Sequence, residues 1–420
     1  MKHLLGLALA SAWNRRLTLG LTLAAIALSV AMLLGVERAR SAARESFAQS
    51  ISGTDLVVGA RTSPVQLMLY AVFRLGEATN SMGWKSYEVL SANPAVAWTI
   101  PLSLGDSHRG FPVLGTTPAY FEHFRYGLSR PLTFKTGHGF ESLFDAVLGA
   151  EVARQLGYKQ GDLIKLSHGI AEIGLPEHAD KPFTVVGVLA RTGTPVDRTV
   201  HVSLEAIEAI HLDWQGGAPI PGLSIPAQYV RKFDIAPKTI TAALIGLKTR
   251  AGVFQMQRVI NTYADEPLLA VLPGVALDQL WHIVDLVENA LLAVSGMVVI
   301  IGLSGMIAIV WASLNERRRE LAILRSVGAG SRDILALLAL EGLLLTAGGV
   351  VSGYTLLTIL SLLAAPFMQA RYGLGIFPWA GSTDELALIG LVLAVGLLAA
   401  LLPAWRACRL SLADGLTPRL

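Results

Sequence analysis

A single cysteine, Cys408, is all the chain contains, which excludes an intrachain disulfide and any metal centre built from several cysteines. Charge is also scarce. Asp, Glu, Lys and Arg make up 15% of the residues against 53% hydrophobic ones, and the mean hydropathy is +0.53. That is too apolar for an ordinary water-soluble protein, so a membrane protein is expected. No basic run interleaved with aromatics occurs, which removes the usual footprint of a nucleic-acid partner. No G-x-x-x-x-G-K-[ST] phosphate cradle is present; the nearest stretch, Gly83-Trp84-Lys85-Ser86, lacks the glycine-rich loop. No serine, histidine or paired-carboxylate constellation reads as catalytic, and Asp106, Asp145 and Glu151 show no partners in the sequence. An enzymatic role for this chain is therefore not expected.

What the chain does have is long apolar runs. Residues 17–36 carry no charge and match the length of about 20 residues that a bilayer core requires. A retained anchor is expected here rather than a cleaved signal peptide, whose apolar core is roughly 7–15 residues. Residues 1–16 place Leu5, Leu9 and Trp13 on one helical face and read as an interfacial helix on the cytoplasmic surface. Further spans are expected at 286–314, 334–365 and 385–402. The expected fold is thus a membrane α-helical protein with four transmembrane helices and a large α+β domain, residues 37–285, inserted between helices 1 and 2. Strand-like runs there include 55–58, 183–189 and 242–247, with helical stretches at 150–156 and 204–210 and frequent Pro and Gly. Two subdomains are expected. The polar, helical segments 37–50 and 278–289 read as stalks.

Charge placement orients these spans. The 315–333 loop and the 403–420 tail (Arg406, Arg409, Arg419) are basic, whereas loop 366–384 has only Arg371 as a basic residue. The positive-inside rule then puts both termini and the 315–333 loop in the cytoplasm. The large domain falls outside, in the periplasm if the membrane is the inner membrane of a Gram-negative cell.

The stretch NERRRELAILRSVGAGSRDILALLALEG, 315–342, sets Arg317, Arg318, Arg319, Arg325 and Arg332 against Glu316, Glu320 and Asp333. Leu321, Leu324 and Val327 recur at helical spacing, so a short helix has one apolar and one charged face. Gly328-Ala329-Gly330 stops it, and Ser331 with Asp333 suits the start of the next helix. On charge alone, an ordinary positive-inside loop explains the arginines equally well.

This loop resembles the signature of the FtsX-like permease family, which includes MacB-type permeases and those of the Lol lipoprotein-releasing system. Glu320, Arg325, Gly328, Arg332 and Glu341 stand at the pattern's positions, and the tail LLPAWRACRLSLADGLTPRL is similar to the family's ending. Residues 147–157 with Gly161-Asp162, then 185–189, look like a MacB-type periplasmic core. The resemblance implies a dimeric ABC permease of the mechanotransmission kind. Glu316, Arg317, Arg319, Glu320, Arg325, Gly328 and Arg332 would then dock on a separate cytoplasmic ABC ATPase, which binds ATP and Mg; no cofactor is expected in this chain. Expected partners are that ATPase, a second permease copy, membrane lipids, and a periplasmic or outer-membrane protein. The cargo implied is lipophilic or lipoprotein-like. A rival reading is an FtsX-like signalling subunit that regulates a periplasmic cell-wall hydrolase; the large inserted domain argues against it.

Within the spans, Glu341 stands out as ionisable, and an intramembrane acid is a functional candidate by default. A structural role at the interface or against a neighbouring helix is the favoured reading. Gly302 and Gly305, and Gly349 and Gly353, allow close helix approach, within one subunit or between two. His108, His123, His138, His168, His178, His201 and His211 fall in the inserted domain. None has the i, i+4 spacing of a helix-borne metal site, so no metal is expected.

Overall fold

The fold follows from two kinds of sequence pattern, apolar runs too long for a soluble helix and short alternating segments punctuated by glycine and proline. The computed structural model describes residues 16–76, 78–169, 178, 180–215, 218–220, 225–316, 323, 325–372 and 381–409. The first half runs α1 (Arg16–Gln49), β1 (Leu56–Ala60), α2 (Pro64–Ala71), α3 (Trp84–Ser91), β2 (Val96–His108), β3 (Phe111–Thr116), α4 (Ala119–His123), β4 (Phe134–Gly137), β5 (Asp145–Leu148), α5 (Ala150–Leu156) and β6 (Leu163–Ile164). The second runs β7 (Ser167–His168), β8 (Phe183–Leu189), β9 (Val200–Ser203), α6 (Leu204–His211), β10 (Ala242–Leu247), α7 (Val253–Asn261), β11 (Leu268–Val271), α8 (Pro273–Glu316), α9 (Ser331–Tyr372) and α10 (Thr383–Arg409). The expected interfacial helix over 1–16 lies almost wholly outside the described residues.

The chain divides into two compact units, one of which holds the spans and the other Ala43–Val284. Helices α1, α8, α9 and α10 are long and apolar enough to cross a membrane. The segments 37–50 and 278–289, expected to be helical stalks, are helical as far as Gln49 and throughout 278–289, and they continue the spans without a break as parts of α1 and α8. Residues 37–49 hold no glycine or proline and are rich in Ala, Arg and Glu, so nothing in the sequence stops the helix there. The spans pack through Ile26, Val30 and Leu34 of α1, Leu303 and Met306 of α8, Leu345 and Val350 of α9, and Val392 and Ala400 of α10. Leu21, Leu28, Ile300, Ile301, Leu363 and Leu398 are exposed and form the apolar flank that lipid would cover.

The inserted unit is built on one mixed sheet in the order β11-β1-β10-β2-β3-β9-β5-β8-β4, with β7 added on β2 and β6 on β8. The β9–β3 and β8–β5 pairs are parallel, and the rest are antiparallel. Every residue of β1 is buried, because both sheet faces are covered. Val57 joins Leu67, Tyr70, Leu102 and Leu114, while Leu56 and Val58 join Tyr87, Leu90, Met256 and Ile260. A third cluster packs α5 and α6 on the far half through Val152, Phe183, Val202, Ala206 and Ile210.

Strand β2 belongs to both halves. Its first part pairs with β10, and its second with β3 and β7. Its register against β3 shifts between Leu104 and Ser107, around Gly105 at φ +154°, a backbone conformation that side-chain-bearing residues rarely adopt.

Candidate functional site

The turn between α8 and α9 is tightly held. Gly328 adopts φ +103° and its N–H donates to the Arg325 carbonyl at 3.0 Å, closing the helical stretch that ends there. Across the turn, the Asp333 carboxylate accepts from the Gly330 N–H at 2.8 Å, and the Asp333 and Ile334 N–H groups donate back to the Gly330 carbonyl. The Arg325 guanidinium donates to the Ser331 hydroxyl at 3.0 Å, which ties the short helical stretch to the first residue of α9. Arg332 is exposed, as are Ile323 and Val327, two apolar side chains one helical turn apart. Glu316 ends α8, and its side chain, with Arg317, Arg319 and Glu320, lies outside the described residues.

Glu341 is buried within the span unit. At the opposite end of the bundle from the α8–α9 turn, Arg38 Nε donates to Glu385 Oε1 at 2.6 Å, with both side chains at most 3% exposed. The Arg38 guanidinium also lies over the Tyr354 ring at 4.8 Å, and Arg40 pairs with Glu288 at 3.2 Å. One polar clamp therefore joins all four long helices.

The glycines differ among themselves. A Cβ at Gly349 would lie 2.4 Å from Ile26 Cγ2, and one at Gly353 2.5 Å from the Ala27 carbonyl oxygen, so both lie against α1 of the same chain. One at Gly302 would sit 3.0 Å from Ser29 Oγ, whereas Gly305 meets nothing within 4 Å among the described residues.

In the inserted unit, the acids that lack partners in sequence have them in space. Asp145 accepts from the Glu141 and Ser142 N–H groups at 3.0 and 2.7 Å. Hydrogen bonds from Arg154 hold the Glu151 carboxyl below the usual carboxylate range. Asp106 meets two imidazoles, with His168 Nδ1 at 3.2 Å and His211 Nε2 at 3.6 Å from its Oδ1. The fully buried Lys181 donates to both oxygens of Asp213 at 2.8 and 2.9 Å. Burial raises the Asp213 carboxyl, but Lys181 and the Ile225 N–H outweigh it and leave it below its ordinary value.

Gly83-Trp84-Lys85-Ser86 opens α3, and the place a phosphate would take at that helix start is filled. The Gly83 N–H donates to both carboxylate oxygens of Glu266, at 2.9 and 3.1 Å.

The MacB-like periplasmic core domain family matches residues 18–230, and the FtsX-like permease C-terminal family matches residues 292–412. Among solved structures, the periplasmic region of MacB from Actinobacillus actinomycetemcomitans is similar at 9% identity, covering 55% of this chain and 94% of that one, with a TM-score of 0.33. The extracellular domain of the noncanonic ABC-type transporter YknZ from Gram-positive bacteria is similar at 11% identity, covering 52% and 99%, with a TM-score of 0.30. No curated protein matches the chain.

Proposed function

Because the chain belongs to the MacB- and FtsX-like family of ABC transporter permeases, we propose that it is a permease subunit driven by a separate ATPase. ATP and Mg are bound by that partner. Hydrolysis there moves the inserted domain, on the periplasmic side of the inner membrane, to export or extract a lipophilic or lipoprotein-type cargo. Both termini then lie in the cytoplasm, and two copies of the permease work together among membrane lipids, with a periplasmic or outer-membrane partner receiving the cargo.

The observation that carries this reading is the α8–α9 turn. A docking element must be stiff enough to pass on force and must present a surface to grip. Arg325 is latched to Ser331 while Ile323, Val327 and Arg332 are exposed beside it. The apolar cluster between the spans supports a cargo that does not cross as a hydrophilic solute.

Purification of the full chain in nanodiscs, followed by identification of what binds, tests the proposal. An ABC ATPase is expected in the complex, and Glu320→Ala with Arg325→Ala is expected to leave the protein inserted but to uncouple hydrolysis from function. Wild-type ATPase association together with wild-type function in that double variant would overturn the reading. A cell-wall hydrolase in the complex would favour the signalling subunit instead.

A further inference from the structure

We propose that Asp106, His168 and His211 bind a zinc-class divalent cation in the inserted domain. Three separate pieces of the fold bring these ligands together. Asp106 follows the Gly105 bulge of β2, and His168 of β7 is its direct cross-strand partner. The Gly169 N–H donating to the Gly105 carbonyl at 2.8 Å fixes that register. His211 is the last residue of α6.

The distances between the three ligand atoms are those of a metal site. His168 Nδ1 lies 3.2 Å from both Asp106 Oδ1 and His211 Nε2, and the remaining edge is 3.6 Å. Ligands bonded at about 2.0–2.1 Å to a tetrahedral zinc lie about 3.3–3.4 Å apart. The tautomer is also set. His211 Nδ1 is 2.8 Å from the Ile207 carbonyl, which only accepts, so Nδ1 carries the proton and Nε2 turns its lone pair to the cluster. Two imidazoles and one carboxylate suit zinc and its neighbours better than calcium or magnesium, which prefer all-oxygen shells.

Two of the three ligands face a cavity. Asp106 and His168 both line a cavity of about 200 Å³, together with Tyr70, Arg74 and Pro112. On another side, Trp214 packs on the buried His178 ring at a centroid distance of 4.0 Å, and His178 in turn lies 5.0 Å from His211.

Without an ion, the same contacts amount to one His168 N–H shared between Asp106 and His211, and the experiment must separate these cases. Full chain carrying no polyhistidine tag is stripped with a chelator in detergent and dialysed against Zn²⁺, with Co²⁺ as a spectroscopic substitute. One ion per chain is expected, with the visible absorption of tetrahedral cobalt and a Zn²⁺-dependent rise in melting temperature. Asp106→Asn, which is nearly isosteric, and His168→Ala should each weaken binding at least tenfold and abolish that rise. His138→Ala, at an exposed ring beside Glu141, should leave both unchanged. The proposal is overturned if the wild type holds no stoichiometric ion, or if Asp106→Asn, which serves even where His168→Ala does not fold, binds Zn²⁺ as the wild type does.

Discussion

At His201, burial and then the nearby Arg74 guanidinium push the imidazole down to about 3, while Nδ1 donates to the Val147 carbonyl. The ring packs against Tyr120 at 5.1 Å and Phe121 at 6.0 Å. An unfolded histidine takes up a proton below about 6.5, which this buried one does not accept until far lower. The stability contributed by its neutral form is therefore complete above pH 6.5 and lost as the pH falls from 6.5 towards 3, on the order of a few kcal/mol. His201→Leu should lower the melting temperature at pH 7 yet flatten its fall between pH 6.5 and 4.5, as read by intrinsic fluorescence of the full chain. A fall as steep as in the wild type would show that another group carries the acid sensitivity.

Residue-level partnerships were the least legible part of the sequence. Asp106, His168 and His211 are separated by 62 and 43 positions, so no local spacing signals their meeting; only the sheet register and the end of α6 create it. The Lys181–Asp213 pair, 32 positions apart, is hidden for the same reason.

Among the elements, those that carry their own punctuation were readable from the chain. Ala150–Leu156 is helical over the expected residues, with Gly157 at φ +72° ending it, and Phe183–Leu189 is the expected strand. The polar segments 37–49 and 278–289 are helical, as their pattern indicates, and continue the spans within α1 and α8. The helix backbone follows propensity and stop signals, and neither changes at residue 37.

Arg38 of α1 and Glu385 of α10 are buried against each other, 347 positions apart. Removing one charge strands the other away from water, which typically costs about 3–5 kcal/mol, whereas replacing both with apolar groups is often neutral or stabilising. Arg38→Ala should thus lower the melting temperature in detergent more than Arg38→Met with Glu385→Met does. Equal losses for the two would mean the pair contributes packing rather than compensated charge.

For the molecule as a whole, hydropathy and arginine placement were enough to read the one-plus-three order of spans and the insertion between the first two. These are sums over many residues and tolerate local error. The clamp that joins the spans depends on single side chains and needed the structure. So did the geometry of the α8–α9 turn, where Arg325 donates to Ser331 beside exposed Ile323 and Val327.

Within the inserted unit, β2 gives its 13 residues to both halves of the sheet. Neither half can come apart without stripping the same strand of the ladder that holds the other. The apolar clusters flanking the sheet should therefore melt together, and calorimetry should find one endotherm for this unit, with equal calorimetric and van't Hoff enthalpies. Two resolved endotherms would mean that the shared strand breaks at Gly105, where its register against β3 shifts.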